Sequence, residues 1–186
     1  MQLAGAALQP ALRAWAAGAR TLGPASPMRA MLEVGLLPLL SLLGFDAAGL
    51  AEMDEQHARL TCRARGEPVL ALAVPWGGPL GSSWRPAVAH ASRHGATWCV
   101  LFNGTHLRLV HGARVHSRRH AEVDIELAAD DVTTAAVLRM LFHVDALGGP
   151  AASADSLTRL TTESDRYAAT VCRALRHGVL AASGDI

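Results

Sequence analysis

The chain has 186 residues, 51% hydrophobic and 4% aromatic, with a net charge of +1. That length holds one domain of ordinary size with a helical extension. It excludes two large catalytic domains, and the composition excludes a wholly disordered chain and calls for a core of Leu, Val and Ala. All 17 basic residues are arginine, which removes every mechanism that needs a lysine: a phosphate loop ending in Gly-Lys-Ser/Thr, a Schiff base, or a nuclease site with lysine beside its metal ion.

Residues 1–27 read as an Ala/Gly/Pro-rich lead with one short helix around Leu8–Ala19, and they lack the compact apolar run of a secretory signal. Ser26-Pro27 reads as a helix start, Ser as N-cap and Pro at the first helical position, and predicts a helix over Met28–Leu43 ended by Gly44. Its apolar part, Val34–Leu43, is about half a membrane span and contains Gly35 and Pro38. Cys62, Cys99 and Cys172 are odd in number and form no CxxC pair, so a soluble protein of the reducing cytoplasm is expected, without a disulfide framework or cysteine zinc site.

Ala58–Arg65 alternates, Gly66-Glu67-Pro68 gives a turn signal, and Val69–Val74 is almost uninterruptedly apolar. This predicts a hairpin whose second strand is buried on both faces. A Gly/Pro loop from Pro75 leads to a helix over Trp84–His94 with Ser83 as cap, then a strand at Trp98–Phe102. Asn103-Gly104 signals a hairpin back into Leu107–Val110, and a further strand is expected within Arg114–Ile125. Asp130 or Asp131 caps a helix through about Leu147, and the spacing of Leu157, Leu160, Ser164, Tyr167, Val171, Leu175 and Val179 predicts a long final helix within Asp155–Ala182. The order of elements points to a mixed α/β sheet.

The segment Trp98–Leu109, strand, Asn103-Gly104, strand, resembles a signature of the restriction-endonuclease-like domains that open type IIG restriction-modification proteins and type I restriction subunits. The helix ending near Leu43-Gly44-Phe45, the hairpin with Leu70–Val74, the Asp-bearing stretch Glu122–Ile125 and the helices after it fall in the same order, covering about Met28 to Ala182. The resemblance implies a mixed sheet flanked by helices, an α/β fold of the PD-(D/E)xK kind. In active members the central strand ends in Glu-x-Lys, which holds magnesium and supports the attacking water. By position that triplet is Ala73-Val74-Pro75 here, so neither functional group is supplied, and one upstream carboxylate such as Asp54 does not make a hard-cation site.

Between Glu67 and Glu122 there is no acidic residue, while Arg85, Arg93, Arg108, Arg114, Arg118 and Arg119 and six histidines fall there. Such segregation attracts phosphates or an acidic protein surface; the alternative is that the arginines scatter and pair with acids such as Glu122, Asp124 and Asp131. His90 and His94, four apart on a helix without an acid between them, read as a solvated face and not as a metal motif.

The expectation is a catalytically inactive nuclease-like domain or fragment of a type IIG protein. It comprises the 1–27 lead, an α/β domain over 28–150, and a long helix over 151–186 leading to a missing or separate methyltransferase region. DNA is the expected partner, through Arg108, Arg114, Arg118 and Arg119, with a methyltransferase or specificity domain as a second. No cofactor, metal or membrane is expected. The alternative is a non-enzymatic protein-interaction module with a basic face.

Overall fold

The computed structural model of the chain describes residues 2–47, 51–112, 120–148, 157–167 and 170. Six strands form one mixed sheet in sequence order: β1 (Glu52–Met53), β2 (Ala58–Ala64), β3 (Glu67–Ala73), β4 (Trp98–Phe102), β5 (His106–His111) and β6 (His120–Asp124). Every neighbouring pair is antiparallel except β3 and β4, which run parallel with Val69 opposite Trp98 and Ala73 opposite Phe102. A parallel pair needs a crossover, and α4 (Trp84–Arg93) supplies it. The apolar run therefore becomes an interior strand paired with Ala58–Ala64 on one side and Trp98–Phe102 on the other, as its sequence predicts.

Strand side chains alternate between faces, so β3 serves two cores. Val69, Ala71 and Ala73 join Trp98, Val100 and Phe102 in the larger one, while Leu70, Leu72 and Val74 meet Ala87, Val88 and Ala91 of α4 on the opposite face. The larger core is closed by α1 (Gln2–Ala19), by a continuous helical rod made of α2 (Met28–Ala30), a π-helical stretch Met31–Leu36 and α3 (Leu37–Leu42), and by α5 (Ile125–Asp130) and α6 (Val132–Phe142). A one-turn helix, α7 (Val144–Leu147), follows.

Several boundaries differ from the sequence expectation for identifiable reasons. The first helix begins at Gln2 and runs through Pro10, whose ring is on the exposed side, while Leu8, Leu12 and Trp15 are buried on the other. An interior proline costs about 3 kcal/mol, and burying Leu12 and Trp15 at roughly 1.5–3 kcal/mol each offsets it. Ser26 does not cap: Pro27 is the N-cap residue, and Ser26 Oγ accepts from Gly23 N instead. The β2–β3 turn is Arg65-Gly66, both at positive φ (50° and 92°), so Glu67 and Pro68 enter the strand instead of forming the turn. Ser83 holds the cap position of α4, yet its side chain makes no capping hydrogen bond.

Ile125 begins a helix instead of ending a strand, because Asp124 Oδ1 accepts from Leu127 N at 3.0 Å. Asp131, not Asp130, caps α6, accepting at 2.7 Å from Thr134 N. That helix stops at Phe142, where His143 is extended, so the segment to Leu147 is two helices. Of the final helix, residues 157–167 are helical, with Trp98 Nε1 donating to Thr158 Oγ1 at 3.2 Å; the remainder of its stripe lies outside the described residues, as does 113–119.

Candidate functional site

The C-terminal end of β3 opens into a cleft of about 430 Å³ whose walls include Gln56, His57, Pro75, Gly78, Ser82 and Ser83. The strand stops there for a local reason: Val74 N makes the last rung to Phe102 O at 2.9 Å, and Pro75 has no N–H to continue. The loop after it is tied to the β4–β5 turn. Gly77 N donates to Asn103 O at 2.8 Å, and Asn103 Nδ2 donates to Gly78 O at 2.9 Å. Asn103 Oδ1 in turn accepts from Thr105 N, Thr105 Oγ1 and His106 N at 3.1, 3.1 and 2.8 Å. Gly104 sits at φ +93°, and a Cβ there would stand 2.5 Å from the Trp76 ring, so only glycine suits both the turn and the contact.

At the positions of the expected nuclease triplet, Ala73 is wholly buried and Pro75 is half-buried at the cleft. Asp54, the upstream acid, is a turn residue. Its Oδ1 accepts from Gln56 N and His57 N, both at 2.8 Å, and its Oδ2 from Arg59 at 3.0 Å. These contacts, the Gln56 amide first, hold the carboxyl below its usual range.

Arg108 of β5 faces Glu122 of β6 directly across the sheet, and the two form an ion pair. The pairing of Arg108 with Glu122 is the arrangement in which surface charge cancels locally. Arg59 with Asp54, Arg65 with Asp145 and Arg29 with Glu33 repeat it. Arg114, Arg118 and Arg119 lie outside the described residues. Arg85 and Arg108 do share a second depression of about 430 Å³ with Trp84 and His120, and Trp84 Nε1 is buried there with no acceptor among the described residues.

A third constellation joins residues that the sequence keeps far apart. Glu52 of β1 meets His90 of α4 and His94 at that helix's C-cap, with one donor atom of each within 4.8 Å of the others. The two imidazoles are 4.4 Å apart, centroid to centroid; Glu52 and His94 are exposed, and His90 is 9% exposed. Burial, and after it the neighbouring His94, lowers the His90 pKa from the ordinary histidine value. The spacing of the two histidines was visible in sequence; the acid that joins them comes from another element, and no local pattern announces it.

No family model, curated protein or solved structure matches this chain. Among the described residues, no helix is long and apolar enough to cross a membrane.

Proposed function

We propose that the chain is a restriction-endonuclease-like domain of the type IIG kind that does not cut, and that it supports DNA binding or the assembly of a larger restriction-modification protein. The observation that carries the reading is the β3–β4 arrangement. An interior strand reached by a hairpin ends in a cleft, the parallel β4 returns through an Asn103-Gly104 turn, and Asp124, α5 and α6 follow in the order the resemblance requires. His57, Gln56 and Pro75 line that cleft, and at the triplet positions Ala73 and Pro75 supply neither a carboxylate nor a cation. The partner on this reading is duplex DNA, met through Arg85 at the second depression and through Arg114, Arg118 and Arg119.

Duplex DNA binding followed by fluorescence anisotropy against salt tests it. With ~4 phosphate contacts the log–log slope is roughly −3 to −4, and changing Arg114, Arg118 and Arg119 together to Gln lowers both affinity and slope. With magnesium or manganese present the DNA stays intact. No binding at low salt, or binding that an acidic polymer of matched charge displaces as well as duplex does, turns the reading to a protein-interaction module; on either reading the Arg108–Glu122 pair takes Arg108 out of the free positive charge of the face. Cleavage that copurifies with the chain and vanishes in Asp54→Asn shows that the domain is an active nuclease.

A further inference from the structure

We propose that Glu52, His90 and His94 form a binding site for one divalent transition-metal ion of the zinc type, bridging the edge strand β1 and helix α4. His90 in the last turn of α4 and His94 at its C-cap lie four residues apart with their rings 4.4 Å apart, and this is the spacing with which helices present a histidine pair to a metal. What a histidine pair alone lacks is an anionic third ligand from another direction. Glu52 provides it from the sheet edge, where its backbone pairs with Arg59 of β2. Among the described residues no hydrogen bond or ion pair occupies the Glu52 carboxylate.

The distances suit this use. Three donor atoms already lie within 4.8 Å of one another, whereas tetrahedral zinc with bonds of ~2.0–2.1 Å holds its donors roughly 3.3 Å apart. Closing the difference takes side-chain rotation in Glu52 and His94, both exposed, around the packed ring of His90. The donor set, two nitrogens and one carboxylate oxygen, selects a borderline ion of the zinc, cobalt or nickel kind over magnesium or calcium, which take oxygen ligands. Three protein ligands leave the fourth position to water on the exposed side.

The site also has a structural consequence. β1 has only two residues, both exposed, and an ion held jointly by β1 and α4 adds a cross-link that the two backbone pairings do not supply.

The test uses the full chain, stripped with a chelator and titrated with zinc by calorimetry, and with cobalt by visible absorption, which reports four-coordinate geometry. One ion binds per chain, and Glu52→Gln and His94→Ala each weaken zinc by ~10-fold or more and remove the cobalt band. Both positions are exposed, so circular dichroism of the two variants stays that of the parent. His106→Gln, remote from the cluster, leaves binding unchanged. Zinc at a hundredfold excess over its dissociation constant raises Tm by something on the order of 5 °C, and the two variants lose that rise. No binding at millimolar zinc overturns the proposal. So does zinc affinity that survives Glu52→Gln, which would make this a histidine pair without its carboxylate, or affinity that survives His94→Ala, which would place the ion at other histidines.

Discussion

The indole of Trp15 donates its Nε1–H to the carbonyl of Gly35 at 2.9 Å, a contact that pins α1 against the π-helical stretch. The same ring stands edge-on to Phe102 of β4, 6.2 Å away at 73°, so one side chain gathers the N-terminal helix, the central rod and the sheet. Gly35 makes room for Phe102: a Cβ there would lie 2.7 and 2.8 Å from two Phe102 ring carbons and 3.0 Å from Leu22. Phe102 is fully buried and has nowhere to retreat. Gly35→Ala gains ~1 kcal/mol of helix propensity against ~1–3 kcal/mol of overpacking, and the expected outcome is a net loss of up to ~2 kcal/mol in urea unfolding. A variant more stable than the parent would show that this contact is loose.

Asn103 is 7% exposed and uses every polar atom of its side chain in the turn network described above. Asn103→Ala leaves the Thr105 and His106 amides and the Gly78 carbonyl without that partner, at about 2–4 kcal/mol in total. Asn103→Asp keeps the acceptor, strengthened by its charge, but sets a carboxylate oxygen against the Gly78 carbonyl in place of the donor; with three amide and hydroxyl bonds retained, its loss is expected to be the smaller. Equal losses in chemical denaturation would mean that the Gly78 bond dominates.

His143 caps α7 by accepting from Asp145 N through Nδ1 at 3.2 Å, which requires a neutral ring. Burial, reinforced by Arg139, lowers its pKa, while Asp145 pulls the other way. A lowered folded value means that protonation favours the unfolded chain. The contribution is therefore full above the ordinary histidine value of ~6.5 and is lost progressively as pH falls below it, levelling off beneath the folded value. Melting temperature should drop between pH 7.5 and 5, and His143→Gln should flatten that drop; an unchanged slope in the variant would remove His143 as its source.

Cys62 and Cys99 are enclosed, and burial pushes both thiols up to about 12. At pH ~8 the reactive thiolate is then roughly one part in ten thousand. Alkylation read by mass spectrometry should leave both unmodified in the native chain and modify both in urea. Labelling of either at the rate of a free thiol would contradict the packing.

What could be read from the sequence depended on how local its cause was. Trp98–Phe102 was legible to the residue because an apolar run is bounded by Gly95 and Asn103. The interior place of β3 was legible because only a strand covered on both faces tolerates Val69 to Val74 without a polar residue. The start of β3 was not, since Pro68 looks like a turn until the positive φ of Arg65 shows where the chain reverses. The extent of α1 was hidden because Pro10 is acceptable only once its exposed side is known. The helix at Ile125 was hidden behind Asp124, which reads equally well as a strand end or a cap. Glu52 beside His90 was beyond reach, because a two-residue edge strand carries no periodicity, and its distance from α4 is decided by the sheet.

Ala73 sits closed to solvent, opposite Ala58 on one neighbour and Phe102 on the other. That enclosure leaves no room at this strand end for a longer side chain. Ala73→Glu would place a longer, ionisable side chain into a space shaped for a methyl group, at a cost of several kcal/mol. Pro75→Lys alone would set a cation at the cleft with no carboxylate to serve. Neither single substitution would pair a carboxylate with a cation at the end of β3, and the first would have to displace packed core to be accommodated at all.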